Sequence, residues 1–273
     1  TGTGQWTEII LYSFSIRGLD GGTPLAALVF DAQGNLYGTT YHGGTYNYGT
    51  VFELAPDGNG NWVQTVLYSF KGGKQNDGAY PASPVVIDNL GNIFGATTGG
   101  GIPNHGVVFA LSPNSGGQWV ESILHSFAGT NDGNNPTGVV LNKVGDLFGA
   151  TEKGGSTANY GTVFKLSQSS NGAWTESIIH RFTNDGAAYP GAPITSDGAG
   201  NLFGTTLGGG SDHGTVFRLA LHANGNWTEK LFTFDGIDGS TPEGSVILDP
   251  QGNAYGTTSY GGTGYGVVFK IKP

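Results

Sequence analysis

The sequence predicts an all-β fold: a five-bladed β-propeller with four-stranded antiparallel blades, closed by the N-terminal strand completing the last blade. Three observations carry this. All five tryptophans open the same segment, Trp6-Thr-Glu-Ile-Ile-Leu-Tyr-Ser-Phe14 and its copies at Trp62, Trp119, Trp174 and Trp227. The steps between them are 56, 57, 55 and 53 residues, and running from Trp227 through the C-terminus back to Trp6 gives 52, so the period is circular. The last copy stops after its third strand-like run, and the run it lacks is residues 6–14. Pairing the two would leave no open sheet edge. The whole chain, 1–273, then forms a single domain.

Each period holds four strand-like runs. The first follows a proline and is apolar: Leu28–Asp31, Val85–Asp88, Val139–Asn142, Ile194–Asp197 and Val246–Asp249. A Gly-Asn or Gly-Asp turn follows, from Gly34-Asn35 to Gly252-Asn253, with glycine supplying the positive φ a tight turn needs. The second run is of the type Leu36-Tyr-Gly-Thr-Thr40, the third of the type Gly49-Thr-Val-Phe-Glu-Leu54, and the fourth is the Trp-led segment. β-branched and aromatic residues alternate there with small or polar ones, and no helical period is sustained.

Composition agrees. With 51 glycines, 37% hydrophobic and 12% aromatic residues, the chain has apolar surface enough to fold and glycine enough to punctuate many turns. A net charge of -9 with no basic cluster argues against a phosphate-binding surface, so nucleic acid is not an expected partner. The absence of cysteine excludes disulfides, thiolate nucleophiles and Cys-ligated metals. No apolar stretch reaches the roughly 20 residues of a membrane span, so membrane insertion is not expected.

In a propeller, the loop leading into the first strand and the loop joining the second and third strands share one face, where ligands bind. The leading loops repeat an Asp-Gly before a proline: Asp20, Asp77, Asp132, Asp185 and Asp238. The second-to-third loops repeat Gly-Gly and then an aromatic or His: Tyr48, His105, Tyr160, His213 and Tyr265. Folding accounts for both rings simply, by Asp closing its own turn and by rings packing against the neighbouring blade. The functional alternative is a ring of sugar sites, each with an apolar face and a few placed hydrogen-bond groups. Calcium at the Asp ring is a weaker option, because no dense Asp-x-Asp-x-Asp loop occurs, and otherwise no cofactor is expected.

Signatures of a phosphate loop, a zinc protease helix and a serine hydrolase elbow are absent. Of the six histidines, His125 and His180 stand where Tyr12 and Tyr68 stand in other copies, so packing explains them first. Glu243 and the Glu152-Lys153 pair are the carboxylates that break the repeat pattern, thin material for an acid and base pair. Near-symmetry itself weighs against one active site.

The run Gly-Asn-Leu-Tyr-Gly-Thr-Thr, then Gly-Gly, then Tyr-Gly-Thr-Val-Phe, then Trp-Thr-Glu-x-x-Leu-Tyr-Ser-Phe resembles the GloVer tandem-repeat proteins of bacteria across all five copies. The resemblance implies an exported or surface-anchored bacterial product and carries no family chemistry. The expectation is a secreted or cell-surface propeller that binds extracellular glycan through its loop face. The alternatives are an assembly protein that self-associates by strand exchange, and a polysaccharide-degrading enzyme.

Overall fold

The computed structural model describes residue 4, residues 6–15 and residues 18–272. Each repeat forms one antiparallel sheet whose strands pair in chain order. Repeat 1 comprises Val29–Phe30, Leu36–Thr40, Thr50–Pro56 and Trp62–Ser69. Repeat 2 comprises Val86–Ile87, Ile93–Thr97, Val107–Pro113 and Trp119–Ser126. Repeat 3 comprises Gly133–Leu141, Leu147–Gly154, Thr162–Gln168 and Trp174–Arg181. Repeat 4 comprises Thr195–Ser196, Leu202–Thr206, Thr215–Leu221 and Trp227–Thr233. Repeat 5 has three strands, Ile247–Leu248, Ala254–Thr258 and Val267–Ile271. One cavity is lined together by Val29, Val86, Val140 and Thr195, so the first strands of four repeats face a common opening.

The turns are locked by side chains. Asp31 accepts hydrogen bonds from the backbone N–H of Gln33 and of Asn35 and from the Asn35 amide, at 2.8–2.9 Å. Asp88, Asp197 and Asp249 repeat this, and Asn142 does so with Asp146. The carboxylate replaces the strand ladder where the chain reverses.

Packing runs from one repeat to the next. Separate apolar clusters join repeats 1 and 2, 2 and 3, 3 and 4, and 4 and 5. At the heart of each lies the same glycine and phenylalanine pair. Gly95 of the second strand pairs in register with Phe109 of the third. A Cβ at Gly95 would stand 2.5 Å from the Phe109 ring, so only glycine lets the ring lie across the backbone. Gly38 with Phe52, Gly149 with Phe164, Gly204 with Phe217 and Gly256 with Phe269 are the same device. Each of these rings then meets, edge-on or tilted, a phenylalanine that ends the preceding Trp-led segment: Phe14 on Phe52, Phe70 on Phe109, Phe127 on Phe164, Phe182 on Phe217 and Phe234 on Phe269, all at 5.1–5.2 Å between centroids. Each fully buried ring contributes about 1.5–3 kcal/mol by leaving water.

One expectation requires correction. Residues 6–15 form no strand, and none of them pairs with Val267–Ile271. They do lie against repeat 1, where Leu11, Tyr12 and Phe14 pack on Leu36, Phe52 and Leu54. Trp6 is fully exposed and Val268 of the unpaired edge is 82% exposed. The segment occupies the repeat-1 side of its predicted junction and not the repeat-5 side, so the ring of ladders is open at that place. The physical reason is that Phe14 and Tyr12 are fixed by their own contacts near the end of the segment, whereas Trp6 to Ile10 have no such anchor.

Candidate functional site

The two loop sets come together as their spacing suggested. In every repeat a short backbone pairing ties the leading loop to the second-to-third loop: Gly22 with His42, Gly78–Ala79 with Gly99–Gly100, Gly133 with Gly154, Ala188 with Gly208 and Ser240 with Tyr260. These ties define one face of the molecule.

The Tyr and His positions sit at the junctions between repeats. The carbonyl of Tyr48 accepts the backbone N–H of Tyr80 at 2.8 Å. His105 does the same for Asn135, Tyr160 for Tyr189 and His213 for Thr241, each at 2.9 Å. The Tyr48, His105 and His213 rings lie over Gly72, Gly129 and Gly236, where any Cβ would collide with them. The His213 ring also meets Ser240 Oγ at 3.2 Å. Tyr265 stands apart: it is 94% exposed, and no bond from Thr23 to its carbonyl occurs.

The Asp positions are placed elsewhere, beside the Trp-led strands. Asp20 accepts the Tyr12 hydroxyl at 2.8 Å and both the N–H and hydroxyl of Ser15. Buried Asp77 accepts the Tyr68 hydroxyl and the N–H groups of Lys71 and Gly78. Asp132 accepts the N–H groups of Ala128 and Gly133 and meets His125 Nε2 at 3.0 Å. Asp238 accepts the N–H of Asp235, and Asp185 is exposed. The structure thus separates the two rings: Asp20, Asp77, Asp132 and Asp238 tie off loops beside the Trp-led segments, and Tyr48, His105, Tyr160 and His213 line the junctions.

The Asp positions bring in partners from the next repeat. Glu121, on the fourth strand of repeat 2, is half-buried beside Asp77, with a buried oxygen that finds no hydrogen-bond partner. Burial, reinforced by the Asp77 charge, pushes its carboxyl up to about 8, against the opposing pull of Lys71. The folded pKa lies above the ordinary Glu value. The unfolded chain therefore gives up this proton before the folded chain does, and stability falls as pH rises from about 4.5 to about 8. Repeat 1 carries Gln64 at this position, where its amide donates to the Asp20 carbonyl. Glu121→Gln is expected to raise stability at pH 8 by roughly 1–3 kcal/mol and to leave it little changed near pH 4.5. Urea unfolding of both proteins across that range checks this, and parallel curves would refute it.

A third ring of five was not legible as a site. The residue before each leading-loop proline (Thr23, Tyr80, Asn135, Tyr189 and Thr241) has φ between 56° and 62°. Non-glycine residues seldom adopt this conformation. Four of the five are held in it by the junction bond just described, and four by a second bond from the partner loop, such as Tyr41 N–H to the Thr23 carbonyl. Their side chains differ and break the symmetry. At the junction of repeats 1 and 2, Tyr80 stacks on Tyr41 at 5.1 Å and 25°, His42 meets both rings edge-on, and Tyr48 closes the group. In repeat 3, Asn135 bonds Glu152, which also pairs with Lys153 at 3.3 Å. Tyr189 meets Tyr160 at the next junction. Glu243, the other carboxylate singled out for catalysis, stands exposed. The signal was present in the sequence as a fixed position before each proline, occupied by unlike residues.

Antiparallel sheets of one repeat, packed in sequence, four of them about a common opening, with paired loops on one face, define a propeller-like tandem-repeat protein. The chain belongs to the Gloeobacter/Verrucomicrobia repeat family, whose profile matches residues 1–196 and 116–273. No curated protein sequence matches it. Among solved structures it is similar to a luciferin-regenerating enzyme, with 12% identity, TM-score 0.56, and coverage of 90% of this chain and 76% of that one. It is also similar to PorZ, a surface component of the type-IX secretion system of Porphyromonas gingivalis, with 14% identity, TM-score 0.56, and coverage of 99% and 35%. A structural-genomics protein with a provisional gluconolactonase assignment gives 17% identity, TM-score 0.51, and coverage of 94% and 81%. At these identities the likeness is one of fold. No described helix is long and apolar enough to cross a membrane.

Proposed function

We propose that this protein is an exported or cell-surface, lectin-like propeller that binds extracellular glycan on its loop face. The observation that carries the reading is the aromatic wall of Tyr41, His42, Tyr48 and Tyr80, with the Tyr160–Tyr189 pair two junctions on. Partly exposed rings offer a flat apolar surface to a sugar ring, and their hydroxyls offer hydrogen bonds at its rim. The Asn135–Glu152 pair lies on the same loop set between them. The site is therefore asymmetric, with two aromatic junctions out of five, which favours an extended chain over five equal monosaccharide sites. On a polysaccharide panel, Tyr80→Ala and Tyr160→Ala are each expected to weaken binding by roughly 2- to 12-fold, while Tyr265→Ala leaves it unchanged. Absence of binding to any polysaccharide would sink the reading.

The reading adds a closed state, distinct from the open arrangement described above, in which residues 6–14 pair as the fourth strand of repeat 5. In the other repeats the tryptophan of one repeat seats on the second strand of the repeat before it, Trp174 against Phe94 and Trp227 against Phe148. The equivalent seat for Trp6 is an apolar groove lined by Phe203, Phe232, Gly252 and Ile271. The register of Glu53 with Thr65 in repeat 1 sets Ile9 opposite Lys270. The open edge also supports a second reading, strand exchange between copies. In a chain with no cysteine, the pair Ile9→Cys and Lys270→Cys decides between them. An intramolecular disulfide supports self-closure, a disulfide-linked dimer supports exchange, and no cross-link overturns both.

A further inference from the structure

Outside the loop face, one junction differs from its sister junctions in chemistry. His125 ends the fourth strand of repeat 2, Asp132 lies in the loop that follows, and Glu176 stands on the fourth strand of repeat 3. One ligand atom from each lies within 4.8 Å of the other two. His125 Nε2 and the Asp132 carboxylate are 3.0 Å apart. That contact is a hydrogen bond, and an ion seated between the two groups would replace it. Glu176 Oε1 is wholly buried and has no hydrogen-bond partner.

The repeat supplies internal controls. One junction earlier the same places hold Tyr68, Asp77 and Glu121, with a hydroxyl in place of the imidazole. One junction before that they hold Tyr12, Asp20 and Gln64. At the following junction His180 pairs with Glu229 at 3.1 Å, and Asp185 is exposed. Only the junction of repeats 2 and 3, among the described residues, brings an imidazole and two carboxylates together.

We propose that His125, Asp132 and Glu176 form a binding site for a divalent transition-metal ion that staples the outer strands of repeats 2 and 3. One nitrogen and two carboxylate oxygens suit zinc, manganese or cobalt, and three protein ligands leave a further position for water. Such an ion would take up the buried Glu176 oxygen that the protein leaves unpaired. It would also offset what now disfavours charge on Glu176, which is burial first and the Asp132 charge second. The other charged groups facing the site are His125 itself and Arg181. Arg181 is held by bonds to the Gly155 and Asn131 carbonyls. The backbone bonds that fix Asp132 orient it as a second shell would.

The test is zinc titration of the untagged protein by calorimetry, with cobalt absorption as a second probe. One ion per chain is expected. Zinc should also raise the thermal midpoint. His125→Tyr and Glu176→Gln install the side chains that repeat 1 already uses at these places, so the fold tolerates them. Loss of an outer-shell partner alone costs metal sites 10- to 100-fold, so each loss of a ligand should weaken binding by more than about a hundredfold. His180→Tyr should leave the affinity unchanged. No binding of zinc, manganese or cobalt at millimolar concentration, or affinity that survives His125→Tyr, overturns the proposal. Glycan binding through Tyr80 is unaffected either way.

Discussion

Phe164→Ala is expected to cost about 3–5 kcal/mol of unfolding free energy, the range for deleting a fully buried ring. Phe164 is wholly buried, lies across Gly149 and meets Phe127 of the preceding repeat. The truncation removes the contact between two sheets as well as the ring's own burial. Gly149→Val approaches the same place from the other side: its Cβ would meet the Phe164 ring and the Gly138 carbonyl, which is backbone and cannot turn away. It is expected to destabilise as severely as the truncation, through overpacking and displaced backbone. Phe164→Leu keeps most of the volume and should cost less than either. Urea unfolding followed by tryptophan fluorescence measures all three. A loss under about 1 kcal/mol for both Phe164→Ala and Gly149→Val would show that the glycine and phenylalanine pair is not what holds the repeats together.

That pair was visible in the sequence only as two strand fragments, Tyr-Gly-Thr-Thr and Thr-Val-Phe. Alternation and turn glycines were enough to place the second and third strands, because those positions answer to a local period. Leu36–Thr40 is where the pattern puts it. The first strands are shorter than their apolar runs, two paired residues in four of five repeats. Proline offers no N–H to a ladder, and the left-handed residue before it turns the chain aside. In repeat 3 the ladder resumes only after a register shift between Pro136 and Val139. The Tyr and His ring was legible as a repeated position. Its junction bond, however, is made by the backbone carbonyl, which no side-chain pattern reports. The Asp20, Asp77 and Asp132 partners at Tyr12, Tyr68 and His125 sit seven to nine residues upstream and fall in plain view once the strand is drawn. Glu121 and Glu176 come from the outer strand of the following repeat. They meet the preceding Asp only through the packing of one sheet on the next, which a single period does not encode.

If residues 6–14 close the ring as the fourth strand of repeat 5, Phe14→Ala and Trp6→Ala are each expected to be as costly as the same changes in the interior repeats, up to about 3–5 kcal/mol. Phe14 already makes the contact its copies make, 5.1 Å from Phe52. Trp6 does not, and as it stands its removal should cost nothing, since it touches no neighbour. The two substitutions therefore report on different ends of one segment. If residues 6–14 add to Val267–Ile271, Trp6 enters the groove at Phe203, and Val268 and the edge backbone gain a ladder. Both substitutions then destabilise, and Trp6 fluorescence is blue-shifted in the variant that retains it as the only tryptophan. If the segment stays anchored at Phe14 alone, Phe14→Ala is costly while Trp6→Ala changes stability by less than about 0.5 kcal/mol. A loss from both changes that grows with protein concentration would mean that the groove is filled by the segment of a second copy, because only an intermolecular strand responds to dilution.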